Sequence, residues 1–287
     1  MNKQNMILEK KIKRTQRELT FYFLATLLIS WAVSLPAVIL SVRGNPDFNF
    51  LVKVNTYVPS LVAIFFVLRF SGKSETINAL KKIVRVRFNY KWYLFIFLLV
   101  PSLLLAAYFI SQLFFETAFQ SVLFPIIKEQ PLSIVLVFVY LMFLEGPFGE
   151  EFGWRGFALN KMLGILNPIK ASLILGFIWT IWHLPSFFIT GTIQNDLAKN
   201  GLLIAFLIYL IYTLALSLFI TIVFIKTNRS VFAAILFHTV ANFSHGLITI
   251  ISEPISAMIF IILLVVSVCL FVWIQRKTFF PKSLSGP

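Results

Sequence analysis

The residues best suited to chemistry in this sequence lie in three otherwise apolar stretches. A carboxylate that takes a proton from water, imidazoles that hold that water or protonate a leaving amine, and neutral donors for a developing oxyanion are the parts of a hydrolytic site. The candidate residues are Glu150, Glu151, Arg155, Trp179, His183, His238 and Asn242. Their types indicate hydrolysis by an activated water.

The first stretch contains two adjacent glutamates followed by an arginine. If it is helical, Glu151 and Arg155 lie at i,i+4 on one face and can form an ion pair. Glu150 then lies on a different face, free to accept a proton or bind a cation. Gly146 and Pro147 just upstream predict a break in the helix that would expose this turn.

The other two stretches contain all three histidines of the chain. His183 follows Trp179 by one helical turn in a span without other charges, and His238 and Asn242 lie at i,i+4 on one helix face. His245 lies near a predicted helix end at the interface. A single buried histidine can also be a hydrogen-bonded packing residue, so only the set as a whole favours a site.

The residue types leave two kinds of hydrolytic site open. Glu150, His183 and His238 could hold a zinc ion with a bound water, or could activate the water without a metal. The sequence has no His-Glu-x-x-His helix, and no serine or cysteine of the set has a base at an evident spacing. An acyl-enzyme route is therefore disfavoured.

The composition indicates that lipid surrounds most of the chain. Of its 287 residues, 59% are hydrophobic and 13% are charged, and the mean hydropathy is +0.89. A soluble domain has about 45–50% apolar and about 25% charged residues. The net charge of +14 does not indicate a nucleic-acid binder, because the basic residues lie at the ends of apolar runs and act as membrane anchors. The single cysteine, Cys269, excludes an intrachain disulfide.

Apolar segments of the length needed to span a bilayer recur along the chain. They are residues 21–41, 54–70, 92–113, 132–148, 171–188, 202–225, 230–252 and 255–274. The runs are continuous, which favours helices over a barrel with alternating residues. We therefore predict an all-α integral membrane protein of about eight transmembrane helices enclosing an intramembrane active-site cavity.

Loop charge predicts the orientation and the domain organisation. Twenty Lys and Arg residues lie on one side of the membrane, which we call the basic side, and four on the other, with Arg69 at a helix end. The positive-inside rule makes the basic side cytoplasmic, so both termini are expected there. We predict a basic arm at 1–20, a single polytopic membrane domain at 21–275 with its protease core at about 132–252, and a cytoplasmic tail at 276–287 of a multi-pass cell-membrane protein.

Taken together, the motifs resemble those of the CPBP family of intramembrane proteases, which includes CAAX proteases and bacteriocin-processing enzymes and is also called the Abi family. Its eukaryotic relative is the type II CAAX prenyl endopeptidase. Three motifs match in order and spacing: Glu-Glu-x-x-x-Arg from Glu150 to Arg155, aromatic-x-x-x-His at Trp179 and His183, and His-x-x-x-Asn at His238 and Asn242. The family usually has Phe where this chain has Trp179, which an aromatic packing role tolerates.

The resemblance implies an eight-span helical fold with a conical cavity open towards the cytoplasmic leaflet. By analogy, Glu150 and His183 activate the water, and His238 and Asn242 stabilise the oxyanion. Glu151 and Arg155 support the site. The family is described as metalloprotease-like, so zinc stays an alternative for this chain.

The leading hypothesis is an intramembrane endopeptidase that cleaves a membrane-associated peptide or a lipidated, CAAX-like protein within the bilayer, with no nucleic-acid partner. The alternative is a non-catalytic membrane binding protein, for example a bacteriocin immunity factor or a scaffold. A proton-coupled transporter would also explain buried Glu and His residues. The sequence shows no paired hydropathy repeats with interrupted helices, which disfavours that third hypothesis.

Overall fold

The computed structural model describes residues 3–115, 121–199, 201–249 and 254–280, and the regular secondary structure in these ranges is helical. The helices are α1 (Lys3–Val42), α2 (Phe48–Leu80), α3 (Tyr90–Phe114), α4 (Phe124–Glu129), α5 (Ser133–Leu144), α6 (Pro147–Glu151), a π-helical segment (Phe152–Leu159), α7 (Asn160–Met162), α8 (Pro168–Trp182), a 3₁₀ turn (Leu184–Phe188), α9 (Ile193–Ala198), α10 (Leu202–Lys226), α11 (Val231–Leu247), α12 (Pro254–Ile274) and α13 (Arg276–Phe279). The predicted all-α membrane fold is confirmed.

The described part of the chain contains seven helices that are long and apolar enough to cross a membrane. They account for seven of the eight predicted segments. The predicted segment 230–252 instead contains α11, which has 17 residues and is about 25 Å long, shorter than a hydrocarbon core of about 30 Å. Ser230 caps its start by accepting a hydrogen bond from the Ala233 N–H over 3.1 Å. Residues 250–253 lie outside the described ranges.

The basic arm continues directly into the first span as one helix of 40 residues. Its Glu18 contacts Lys161, 2.7 Å away, so two segments that were assigned to the basic side meet there. At the far end of α1, the Ser41 hydroxyl accepts a hydrogen bond from the Thr190 N–H over 2.8 Å. Contacts at both ends of α1 therefore agree with the alternation of loops, while the cytoplasmic assignment of the basic side stays a prediction.

Small residues allow α8 and α10 to pack closely. Thr180 and Thr213 share a hydrogen bond of 2.6 Å, and the Ser217 hydroxyl donates to the Ser172 carbonyl over 2.8 Å. Between these bonds lies Gly176, where a Cβ would be 3.0 Å from the Cβ of Ser217. Small residues four apart on facing helices are typical of membrane interfaces, where close packing and hydrogen bonds replace the hydrophobic driving force. This interface fixes the helix that carries Trp179 and ends at His183.

A second close approach joins α2 to the helical run that begins with α6. A Cβ on Gly149 would lie 2.7 Å from the Thr56 carbonyl oxygen, and one on Gly153 would collide with the backbone of Pro59. The Gly153 N–H also donates to the Ser60 hydroxyl over 3.2 Å. The two backbones pack directly against each other, so any side chain at these glycines must push the helices apart.

We expect Gly149→Ala to destabilise the protein by about 1–3 kcal/mol, because an added methyl group in a packed interface has no room. Thermal unfolding in detergent, followed by tryptophan fluorescence, measures this effect. The matched control is Gly164→Ala, whose Cβ has no neighbour closer than the Lys161 carbonyl at 3.2 Å. Equal melting temperatures for the two variants would contradict the close approach of α6 to α2.

Candidate active site

The two glutamates lie inside the protein on the helical run that follows Gly146. Gly146 has a φ angle of 118° and Pro147 begins α6, so the predicted break in the chain is present. The prediction that this break exposes the Glu-Glu turn is wrong, because Glu150 is 3% exposed and Glu151 is 0% exposed. The reason is tertiary: α2 packs against the glycine face of α6 and covers the turn.

Glu151 is the centre of a buried charged cluster. Its Oε1 accepts a hydrogen bond from Arg155 Nη1 over 2.7 Å and lies 2.9 Å from His238 Nδ1. Both members of the Glu151–Arg155 pair are fully buried, and the predicted i,i+4 pair forms where α6 passes into the π-helical segment. The Arg155 guanidinium also lies 4.6 Å from the centre of the Trp179 ring. This cluster joins α6, the π-helical segment, α8 and α11.

Glu150 has a different partner from its neighbour. Its Oε2 accepts a hydrogen bond of 2.8 Å from the indole N–H of Trp179. This bond gives Trp179 a polar role that an aromatic packing residue would lack, since a phenylalanine has no N–H. Because Glu151 engages Arg155 and His238, Glu150 is the carboxylate of the two without a charged hydrogen-bond partner among the described residues.

His183 lies inside the predicted segment 171–188, but just past the end of its regular helix. The helix ends at Trp182, and a 3₁₀ turn containing Pro185 follows. The His183 Nδ1 lies 2.9 Å from the Trp179 carbonyl oxygen. A carbonyl can only accept, so Nδ1 carries the proton and the Nε2 of the neutral ring has a free lone pair. The rings of Trp182 and Tyr209 pack edge-on against His183 at centroid distances of 4.5 and 5.3 Å.

His238 is oriented like His183, with Nδ1 towards an acceptor of the protein. The Glu151 carboxylate accepts from Nδ1, which leaves Nε2 for another partner. The ring is held edge-on against Trp179, with centroids 5.2 Å apart. Asn242 follows one turn later on α11, is half-buried, and makes no hydrogen bond to another residue within the described ranges. Its amide is therefore available to a bound group.

The structure brings most of the predicted residues together around Trp179. This indole contacts Glu150 directly, carries Arg155 and His238 against its ring, and provides the carbonyl that orients His183. Asn242 is linked to the others through its position on α11. Sequence reasoning missed the indole hydrogen bond and the contact of Tyr209 with His183, and no motif marks Tyr209.

His245 belongs to a different environment from the other two histidines. Its Nε2 lies 3.0 Å from the Tyr212 hydroxyl, and its ring packs edge-on against Phe260. The predicted helix end is present, because α11 ends at Leu247, and the side chain is buried against α10 and α12. His245 therefore contributes to helix packing in this structure. The interfacial position of His245 stays a prediction.

The arrangement does not form a metal site. Donor atoms of suitable type exist in Glu150, His183 and His238, but no three His, Cys, Asp or Glu side chains within the described ranges converge with metal-binding geometry. Two of these residues instead contact Trp179, Glu150 at its N–H and His238 at its ring. We therefore derive no step through a metal.

Comparisons with known proteins agree with the motifs. The model of the family described as "Type II CAAX prenyl endopeptidase Rce1-like" matches residues 130–244, the part of the chain that holds all the site residues. The chain is also 26% identical over 235 residues to "CAAX prenyl protease 2" of Methanococcus maripaludis, covering 80% of this chain and 84% of the relative. The resemblance to CAAX proteases is confirmed.

The buried cluster predicts a non-additive response to mutation. Arg155→Met leaves the Glu151 carboxylate buried without its cation, and we expect a loss of about 3–5 kcal/mol of stability. The double variant Glu151→Gln, Arg155→Met removes both charges and should recover a large part of that loss. Thermal unfolding in detergent measures both.

The control for this pair is Lys199→Met, which breaks the exposed Lys199–Asp196 pair of 2.7 Å. A surface pair contributes about 0–1 kcal/mol, so its melting temperature should stay near that of the wild type. If the double variant is as unstable as Arg155→Met alone, the loss of stability in Arg155→Met does not come from an unpaired buried charge.

Proposed function

We propose that this protein, whose site-bearing residues resemble the Rce1-like prenyl endopeptidases, is an intramembrane endopeptidase that hydrolyses a peptide bond with a water activated by Glu150 and His183. The observation that carries the proposal is the division between two adjacent buried carboxylates. Glu151 is committed to Arg155 and His238, while Glu150 keeps an oxygen free of hydrogen bonds to the described residues. One carboxylate is structural and the other is available for proton transfer.

In the first step, the Glu150 carboxylate takes a proton from water as the water oxygen attacks the carbonyl carbon of the scissile bond. The Trp179 N–H fixes one carboxylate oxygen, so the other points consistently at the water. The Nε2 lone pair of His183 accepts a hydrogen bond from the second O–H of the same water, which keeps that proton. Two acceptors thereby orient the nucleophile.

In the same step, the carbonyl oxygen becomes an oxyanion, which His238 and the Asn242 amide stabilise. His238 donates from Nδ1 to Glu151, and its doubly protonated ring would donate from Nε2 to the oxyanion. The Asn242 amide supplies a second, neutral donor of the kind found in oxyanion holes.

In the second step, the tetrahedral intermediate collapses. The carbon–nitrogen bond breaks, protonated Glu150 gives its proton to the leaving amine, and the oxyanion returns to a carbonyl as the new carboxyl group forms. Glu150 is again a carboxylate at the end of the cycle. Atoms and protons therefore balance with water as the sole co-substrate.

The substrate class follows from the position of the site and from the relative's name. Five of the seven site residues lie in two helices long and apolar enough to span a membrane, and the other two lie on the shorter apolar helix α11. The scissile bond must therefore reach them from within or beside the bilayer. A peptide associated with the membrane or the end of a lipidated, CAAX-like protein meets that requirement. With the basic side cytoplasmic, both termini of the enzyme and the end of its substrate face the same compartment.

The direct test is Glu150→Gln in proteoliposomes that contain a farnesylated peptide with a fluorescent label upstream of the cleavage site. We expect turnover to fall by about 10²–10⁴-fold, because glutamine cannot act as a base. Its side-chain carbonyl still accepts from Trp179, so the melting temperature should stay within a few degrees of the wild type. Mass spectrometry of the released fragment locates the scissile bond.

The matched control is Glu145→Gln, which changes a carboxylate just before α6. The Glu145 carboxylate lies 3.9 Å from the Lys53 ammonium and accepts a hydrogen bond from the Tyr140 hydroxyl. The variant's turnover should stay within about twofold of the wild type, as for most surface changes. Normal cleavage by folded Glu150→Gln would overturn the proposed mechanism. If the wild type binds the peptide but neither it nor any variant cleaves it, the result would favour the non-catalytic binding protein.

The indole hydrogen bond predicts a second effect on the reaction. Trp179→Phe keeps an aromatic ring but leaves the Glu150 carboxylate without its donor, so we expect turnover to fall about ten- to a hundredfold, the value of a hydrogen bond to a charged group. Trp182→Phe is the control on the same helix, α8, because it also removes an indole hydrogen bond, here one of 2.6 Å to Ser30 on α1. Equal turnover by the two variants would contradict a positioning role for Trp179.

A further inference from the structure

Two neighbouring hollows lie along the seam between α1 and α2, away from the candidate site. The first has a volume of about 320 Å³ and an apolar lining that includes Ala25, Ile29, Val58, Leu61 and Phe65. The second has a volume of about 500 Å³ and is lined by Arg14, Arg17, Glu18, Phe21, Phe66 and Phe70. Phe66 lines both, so the two hollows adjoin.

The residues of α1 that line this seam groove form one continuous stripe. Arg14, Arg17, Phe21, Ala25 and Ile29 follow one another at intervals of three or four residues, which places them on one helix face. The stripe begins with cations and becomes wholly apolar. Its apolar part, from Phe21 to Ile29, is about 12 Å long, close to the depth of about 15 Å of one leaflet's hydrocarbon.

The cationic end has charge that the protein itself does not neutralise. Glu18 lies 2.9 Å from Arg14 and 2.7 Å from Lys161, so two cations contact one carboxylate. Arg17 is exposed and has no carboxylate partner in the described part of the chain. Local net charge at this end of the groove is therefore positive, on the side of the membrane where the chain has most of its Lys and Arg.

We propose that the seam groove binds an anionic phospholipid, with its phosphate at Arg14 and Arg17 and an acyl chain along the apolar part. Any apolar face of a membrane helix is covered by lipid, but this one is concave and ends in cations at the depth of the headgroups. A second copy of the chain fits less well, because it would place its own basic arm against these cations. This proposal does not rest on the proposed function.

The groove also contacts the π-helical segment that follows the site carboxylates. Phe66 packs against Tyr22 and Phe157 with ring centroids 6.2 Å away in each case, and Tyr22 packs against Trp154 at 6.0 Å. A lipid chain in the groove would therefore press on rings that hold α1 and α2 against the π-helical segment. Binding should raise the melting temperature of the whole protein.

The test compares phosphatidylglycerol with phosphatidylcholine of the same acyl chains, added to the full-length protein in detergent. Native mass spectrometry measures bound lipid, and thermal unfolding gives an independent signal. We expect the wild type to retain phosphatidylglycerol at least fivefold better than phosphatidylcholine and to melt higher with it. Equal retention of the two lipids would overturn the proposal.

Two variants separate the ends of the site. Arg17→Gln, which breaks no ion pair in the described part of the chain, should lower the preference for phosphatidylglycerol at least threefold, and the double variant with Arg14→Gln should abolish it. Leu61→Trp fills the apolar groove and should reduce retention of both lipids at least threefold. Wild-type retention by Leu61→Trp would overturn the placement of the acyl chain.

The control is the double variant Lys10→Gln, Lys11→Gln, which lowers the charge of the same arm outside the groove. This variant should keep the preference for phosphatidylglycerol. A loss of preference as large as that of Arg17→Gln would show diffuse electrostatic attraction to the arm and would overturn the proposed site. Displacement of the lipid by inorganic phosphate would identify an anion site without a lipid chain. Displacement by a farnesylated peptide would identify a substrate groove, and either result would overturn the proposal.

Discussion

The buried charge of Glu151 is the constraint that organises this protein. A carboxylate that is fully removed from water must be neutralised within hydrogen-bond distance, and here Arg155 does so from the following π-helical segment, while His238 on α11 also hydrogen-bonds to it. Trp179, on α8, covers the guanidinium and packs against the imidazole. Four helical segments are thereby held together around one charge. The site geometry is a direct consequence of that neutralisation.

Close backbone contacts allow the helices to bring the residues of this cluster together within the bilayer. Within a bilayer, apolar surface alone does not drive helices together, so packing and hydrogen bonds must. Gly149 and Gly153 let the carboxylate helix pack directly on α2, and Gly176 lets α8 pack on α10. Larger residues at these positions would push apart the helices that carry the carboxylates and Trp179. The glycines thus act on the site without touching it.

The sequence predicted what depends on local pattern and failed where tertiary contacts decide. Hydropathy identified the helical membrane fold, and the i,i+4 spacing identified the pair of Glu151 with Arg155. It gave no sign that α2 would bury the Glu-Glu turn or that the indole of Trp179 would reach Glu150, because both need the position of another helix. It placed His183 inside the segment 171–188 but did not show that the regular helix ends just before it. The roles of the site residues in catalysis stay predictions.

The two imidazoles of the site are held by different acceptors, which would give them different roles in the proposed reaction. Each donates from Nδ1 and presents Nε2, but His183 donates to a neutral backbone carbonyl and His238 to a carboxylate. A carboxylate stabilises positive charge on the ring that it contacts far more than a carbonyl does. The carboxylate therefore favours His238 as the ring that donates to an oxyanion, and the carbonyl, together with the rings of Trp182 and Tyr209, favours His183 as the ring that accepts from water. Exchange of the two acceptors would exchange the two roles, so the assignment depends on the elements that supply them and not on the histidines themselves.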